Sequence, residues 1–444
     1  MKELFLGIDF ATQNSRAVLI DSENRVVARN SHELAPVISG SDGRLTQDPQ
    51  SWLVAVDYLL ERSITSAKEQ DAVIAGMCIT ATSGTFLLTD LSGTPLTPAA
   101  MYNDGRASTP LARAELMSAE IGSAEVLFAH VPELVIAHLT GNSLDSISTD
   151  WSHAMKTGVD LVKGDWKPEI RQHAHSLQIH LPSIVAPGAL VGRTSRDDIP
   201  IYAGMTDGCT AQISAGSSAV GSAVTTLGTT LVLKVVAEKE VSGPGFYSHR
   251  LPLSRWLAGA ASNVGGISFS DYSADIDEWN KKAHEHGYAT HVVYPLVGKG
   301  ERFPIADKNM KALRSGEPTS EVDEFRAILE GIAFAERLSY EILSAAGAPC
   351  NGELYTVGGG SKSQLWNTIR AAVMNRPINL VEDSGSDIGA ARLAHAAHLG
   401  SDVAAHLATF NSSILEQILP GHEDVIFYES RYQEFLSLCK VLTP

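Results

Sequence analysis

The chain has 444 residues, 44% of them hydrophobic and 19% charged, with a formal net charge of −17. That length exceeds one ordinary core and predicts two domains of about 200 residues each. So acidic a balance argues against a nucleic-acid surface, which needs a basic face. Four scattered cysteines (Cys78, Cys209, Cys350, Cys439) contain no C-x-x-C pair, which leaves no zinc-site or disulfide pattern. Asp9 interrupts the first apolar run too early for a signal peptide. No run reaches the ~18 uncharged residues of a membrane helix, so a reduced cytoplasm is the expected location.

Alternating apolar residues predict strands at Leu4–Asp9, Arg16–Asp21 and Arg25–Glu33, joined by turns at Thr12–Asn14 and Ser22–Asn24. The first strand closes on a carboxylate, Asp9, beside Ala11, Thr12, Gln13, Asn14 and Ser15. A lone acid ending a buried strand is costly unless it meets a cation or hydrogen-bond donors. Next to a turn rich in N–H groups and hydroxyls, a phosphate with its metal ion satisfies it. An ordinary hairpin with a solvated turn accounts for the same residues. A helical stripe follows in Ser51–Lys68, through Leu53, Val56, Leu59, Leu60 and Ile64. The next strand, Val73–Thr80, leads through Ala81-Thr82-Ser83-Gly84-Thr85 into Phe86-Leu87-Leu88. Residues 107–140 read as helices and 141–200 as surface helices and loops. Within the latter, His173, His175 and His180 lack carboxylate support and read as solvated rather than metal-bound.

The short strand Ile201-Tyr202-Ala203 runs into Gly204-Met205-Thr206-Asp207-Gly208 and a helix at Thr210–Ala215. Asp207 either caps that helix or is aimed at a hydroxyl as a general base. The second half then repeats the opening: strand Gly221–Leu227, turn Gly228-Thr229-Thr230, strand Leu231–Ala237. Hydroxyls and N–H groups in Thr225–Thr230 suit phosphate oxygens, as they also suit a plain hairpin. Tyr355-Thr356-Val357 passes through Gly358, Gly359 and Gly360 into another helix. Three glycines permit close approach of a ligand, and the helix N-terminus behind them favours an anion. The pattern is neither G-x-G-x-x-G nor a P-loop. Helical periods also mark Val322–Ala346, Lys362–Met374, Asp387–Leu399 and Arg431–Leu442. Strands and helices mixed in both halves give an α/β class with two related lobes and a cleft.

In order along the chain stand the Asp9–Thr12 hairpin, the Ser83 loop, Tyr102-Asn103-Asp104-Gly105-Arg106, and Gly204–Gly208. Gly228-Thr229-Thr230, Gly358–Gly360 and Gly389-Ala390-Ala391-Arg392-Leu393-Ala394 complete the set. Together, from Gly7 to Gly400, they closely resemble the FGGY carbohydrate kinase family. The resemblance implies the duplicated ribonuclease-H-like fold shared with actin and hexokinase. It places a sugar-binding lobe with the base at 1–218 and an ATP-binding lobe at 219–444. Thr82–Leu88, Tyr247-Ser248-His249, Ala261–Gly266 and Gly300–Asp307 look like the compact D-ribulose kinases. Tyr102–Arg106 looks more like the xylulokinases. Ala11 stands where many members carry glycine, and the segment 108–141 looks shorter than its counterpart by about a helix.

What the resemblance implies is ATP-dependent phosphorylation of a terminal sugar hydroxyl, D-ribulose to D-ribulose 5-phosphate by the nearest likeness, with Asp207 as base. Asp9 would organise Mg²⁺ through water and touch the sugar, and Thr12 would assist catalysis. Thr12, Gln13, Thr229 and Thr230 would hold phosphates. Gly358, Gly359 and Gly360, with Ser363 and Trp366, would bed the adenosine. Ser83, with Asp104 and Arg106 as secondary candidates, would bind sugar. A monomer or homodimer is expected, with a sugar and a nucleotide as partners and neither nucleic acid nor membrane. Alternatives are D-xylulose or another polyol or aldonate as substrate, a catalytically weakened regulator, and a sugar-independent actin-like nucleotide switch.

Overall fold

The structure, a computed structural model, describes residues 2–122, 125–216, 219–252, 255–381, 384–400, 402–410 and 414–440. The chain divides into two compact units. The first comprises Met1–Gly216, Arg250–Leu253 and Gly385–Asn411. Its central sheet grows from the strand Lys2–Phe10, buried from Leu4 onward. That strand pairs antiparallel with Asn14–Asp21, which pairs antiparallel with Val26–Glu33. On its other edge lies Ala72–Ala81, parallel to it, and then Pro200–Tyr202, parallel again. The helix Gln50–Lys68 covers one face, setting Trp52, Val56 and Leu59 in one core with Leu4, Leu6 and Ile8.

The helix Ser386–Leu399 packs close against the first strand because the contact residues are glycines. A Cβ on Gly7 would stand 1.9 Å from the Asp387 carbonyl oxygen, and one on Gly389 would stand 1.8 Å from that of Thr210. Any side chain at either position would push the helix away. Packing therefore departs from a single cut between 218 and 219: the Gly389-Ala390-Ala391 run belongs with the first unit.

The second unit comprises Ser217–His249, Ser254–Ser384 and Ser412–Pro444. Ala223–Leu227 pairs antiparallel with Leu231–Ala237, which pairs antiparallel with Trp256–Ser262. On the opposite edge of Ala223–Leu227 run two parallel neighbours, Leu354–Val357 and then Ile378–Val381. Each unit thus carries the same order of strands, and the sequence echo of residues 12 and 229 is a duplicated sheet.

Two expectations need correction. Val126–His130, inside the stretch read as helices, is a strand between the helices Pro110–Ile121 and Val131–Thr140. All five of its residues are buried, and it pairs with both Phe86–Thr89 and Ile179–His180. A strand buried on both faces loses its alternation, so its apolar run imitates a helix. The stretch 141–200 is also less superficial than its polarity suggests, since Asp150, Ser152 and His153 are buried. Its other histidines, His173, His175 and His180, are exposed. The expected lack of carboxylate support does not hold, since His173 Nε2 stands 3.3 Å from Glu115 and His180 Nε2 3.8 Å from Glu125. The last helix spans His422–Cys439; residues 441 and 442 of the expected period lie outside the described residues. No helix among the described residues is long and apolar enough to cross a membrane.

Candidate active site

In the first unit the register of the opening hairpin sets Asp9 opposite Arg16. Arg16 Nη2 donates to Asp9 Oδ2 at 2.7 Å, while Asp9 Oδ1 is buried with no partner. Burial pushes the Asp9 pKa up to about 6; Arg16 pulls the other way, and the Asp207 and Asp387 carboxylates add to the rise. A carboxylate so placed, with one bare oxygen, is ready for a cation or a hydroxyl. The following turn closes with Ala11 N–H on the Asn14 carbonyl. Ala11 is not among the residues with positive φ, so the turn itself does not demand glycine there. Thr12 is half-buried, its carbonyl accepting from Gln47 Nε2 at 2.9 Å, and Gln13 is exposed.

Asp207 is the first residue of the helix Asp207–Ser214, with Thr206 at the cap position. Asp207 Oδ1 accepts the Gly208 N–H at 2.6 Å, so the carboxylate does part of a capping residue's work from one position later. The loop before it is tightly fixed. A Cβ on Gly204 would meet the Ile79 carbonyl oxygen at 1.9 Å. Thr80 Oγ1 donates to the Met205 carbonyl at 2.6 Å, and Thr206 N–H donates to Ser152 Oγ at 2.9 Å. Ser386 Oγ donates to the Asp207 carbonyl at 3.1 Å.

The Ser83 loop turns at Gly84, where φ is +88°, and Ser83 Oγ is buried without a partner. Arg113 ties this loop to the next, donating to the Met101 carbonyl at 2.8 Å, Asp104 carbonyl at 3.1 Å and Gly84 carbonyl at 3.4 Å. Asp104 and Arg106 are committed to each other. Arg106 Nε donates to Asp104 Oδ1 at 3.0 Å and Nη2 to Oδ2 at 2.8 Å, and the backbone N–H groups of Leu45 and Arg106 complete the carboxylate. The pair holds its own loop, which leaves Asp104 no bare oxygen for a ligand.

In the second unit the two glycine turns are neighbours. A Cβ on Gly358, at φ +94°, would lie 2.6 Å from the Leu227 carbonyl oxygen; one on Gly360 would lie 2.8 Å from Leu227 Cβ and 2.5 Å from the Trp366 ring. A Cβ on Gly359 would meet nothing within 4 Å. Gly358→Ala is therefore expected to destabilise the chain by about 1–3 kcal/mol and Gly359→Ala by under about 1 kcal/mol, read from urea midpoints. The Gly228–Thr230 turn rests on Gly265 and Gly266: Gly266 N–H donates to the Gly228 carbonyl and Ile267 N–H to that of Thr229. Thr229 is exposed and Thr230 half-buried. Thr225 is spoken for, its hydroxyl donating at 2.6 Å to Glu336, the buried partner of Arg370.

Family profiles match both parts of the chain. Residues 4–125 match the N-terminal domain and 213–398 the C-terminal domain of the FGGY family of carbohydrate kinases. The chain belongs to the FGGY family of carbohydrate kinases. It is an ATP-dependent sugar kinase of xylulokinase-like type. A xylulose kinase of Staphylococcus epidermidis is 24% identical over 487 residues, covering 99% of this chain and 97% of its own. The crystal structure of xylulose kinase from Rhodospirillum rubrum superposes with a TM-score of 0.83 at 21% identity, covering 98% of each chain. That of Plasmodium falciparum glycerol kinase with ADP gives 0.81 at 18% identity, again covering 98% of each. These likenesses establish the actin/hexokinase-type fold.

In this FGGY kinase, Asp9 and Asp207 lie within electrostatic reach of one another. Two of the expected nucleotide residues have other work. Trp366 is only 1% exposed and packs edge-on to Phe269, so it supports the glycine turn from the core. Ser363 caps the helix Gln364–Met374, accepting from Trp366 N–H and donating to Asn280. Sequence reasoning passed over Arg16 and Asp387, and over Lys156, whose Nζ donates to the Ser83 carbonyl at 2.8 Å. Arg16 was legible, because a two-strand register starting at the Thr12 turn puts it opposite Asp9.

Proposed function

We propose that this kinase transfers the γ-phosphoryl group of ATP to the terminal hydroxyl of a ketopentose, D-xylulose ahead of D-ribulose. The observation that carries the reading is the set of acids and bare polar atoms in the first unit. Asp9 Oδ1 and Ser83 Oγ are buried and unpartnered, and Asp207 stands in the field of Asp9 at the mouth of a rigidly fixed loop. Buried polar atoms without partners are rare in a folded protein unless something else supplies the hydrogen bond. A polyhydroxylated ligand does so. The names of the relatives support D-xylulose over D-ribulose, which the Ser83 loop had favoured in the sequence.

A primary hydroxyl is a poor nucleophile. Asp207 would accept its proton as the new oxygen–phosphorus bond forms and the bond to the ADP oxygen breaks. Thr12 with Gln13, and Thr229 with Thr230, would donate to phosphate oxygens, and the open face of Gly359 would receive the nucleoside. Asp9 fits Mg²⁺: it is a hard oxygen donor with one bare oxygen, suited to a hydrated ion that keeps its waters. Bound there, Mg²⁺ would neutralise phosphate charge. Arg16 holds Asp9 in place from the other side.

A coupled ADP assay with Mg-ATP tests the reading against D-xylulose, D-ribulose, gluconate and glycerol. Turnover with a ketopentose exceeding that with gluconate or glycerol by at least about tenfold is expected. ATP hydrolysis at one rate whatever the sugar would turn the assignment toward a nucleotide switch.

A further inference from the structure

Lys156 follows the short helix Trp151–Ala154 and lays its side chain across the Ser83 loop. Its Nζ donates to the Ser83 carbonyl at 2.8 Å and stands 5.8 Å from the centre of the Tyr102 ring. Gly84 makes the room, since a Cβ there would lie 3.1 Å from Lys156 Cδ. The helix that delivers Lys156 is anchored by Asp150. That carboxylate accepts from the N–H groups of Ser152 and His153, from Ser152 Oγ and from the His153 ring. Ser152 Oγ in turn accepts the Thr206 N–H, and Thr206 precedes Asp207. One hydrogen-bond network therefore fixes both the helix leading to Lys156 and the loop leading to Asp207.

Lys156 is solvent-accessible and makes no ion pair among the described residues. An ammonium offers three donors and accepts nothing, and only the Ser83 carbonyl takes one. Partial desolvation against the Ser83 loop lowers its pKa from the usual lysine value, Asp207 acts in the opposite sense, and Arg113 adds to the lowering. Next to it, Ser83 Oγ is buried and unpartnered.

We propose that Lys156 is a sugar-binding residue, its ammonium and the Ser83 hydroxyl together holding substrate oxygens other than the one phosphorylated. The proposal rests on the kinase reading. In that role it fixes the sugar's orientation toward Asp207 without entering proton transfer, so it governs sugar KM more than kcat.

The test compares the parent with Lys156→Met and Lys156→Arg. The methionine variant should raise the KM for D-xylulose by about 10–100-fold, as expected for a lost charged hydrogen bond, with the KM for ATP unchanged. The arginine variant should recover part of the loss. Labelling of Lys156 in the parent by trinitrobenzenesulfonate, read by peptide mass spectrometry, should slow with D-xylulose and not with ADP. A parent that turns over no sugar defeats the kinase reading, and the labelling still reports on Lys156. Parent-like sugar KM in the methionine variant, or labelling indifferent to sugar, overturns the proposal.

Discussion

Asp207→Ala lowers sugar-dependent ADP formation by about 10²–10⁴-fold, the range set by loss of a general base, and leaves nucleotide affinity unchanged. The expectation follows from position. Asp207 opens a helix whose preceding loop is clamped to the strand Ala72–Ala81 by Gly204 and Thr80, and to the helix Trp151–Ala154 by Ser152. A carboxylate on so fixed a backbone can be aimed; Thr206 occupies the cap position without a side-chain capping bond, and Asp207 itself accepts the Gly208 N–H. Asp207→Asn separates chemistry from architecture. The amide oxygen keeps the Gly208 N–H bond but accepts no proton at neutral pH. It should melt with the parent and lose kcat to nearly the same degree as the alanine variant. Single-turnover measurements with saturating sugar check this. An asparagine variant with the parent's kcat would assign the carboxylate to capping alone.

Much of the fold could be read from local pattern, because the strand–turn–strand repeat is a local signal and it occurs twice. The first hairpin, the helix Gln50–Lys68 and the glycine turn at 358–360 all lie where their periods place them. What escaped depends on partners distant in sequence. Val126–His130 is a strand only because Phe86–Thr89 and Ile179–His180 flank it. The run from Gly389 reads as an ordinary small-residue helix until Gly7 and Thr210 close on it. In the site, residue type was informative where the chemistry is expensive to bury, as at Asp9. It misled where a good ligand residue had an equally good structural use. Asp104 and Arg106 are two residues apart and satisfy each other. Trp366 sits one turn past its helix cap, on the side that faces the core. Asp387 and Lys156 gave no local signal, because only the tertiary fold brings Asp387 into the field of Asp9 and Lys156 onto the Ser83 carbonyl.

Asp9→Asn should leave the protein more stable at pH 8 and inactive as a kinase. Burial holds the folded-state pKa of Asp9 at about 6, above its ordinary 3.8. Folding therefore favours the protonated form, so the ionised carboxylate weighs against the fold above pH 6, and that cost fades as pH falls through 6 toward 3.8. A rise of about two units corresponds to at most about 3 kcal/mol. Asparagine removes the charge while its oxygen can still accept from Arg16. Arg16 is 45% exposed and stays solvated without its ionic partner, so the substitution strands no buried cation. The expected result is a gain of about 1–3 kcal/mol at pH 8, shrinking toward zero by pH 4, read from urea midpoints at the two pH values. Sugar-dependent turnover should fall by at least about 10²-fold, because the bare oxygen that strains the apo fold is the one the reaction would use. A variant less stable than the parent at pH 8 would mean that the Arg16 pair outweighs the burial of Asp9. On stability alone asparagine would serve position 9 better at pH 8 than the buried carboxylate with its bare oxygen, so a variant that gains stability while losing turnover would separate the two demands on this residue.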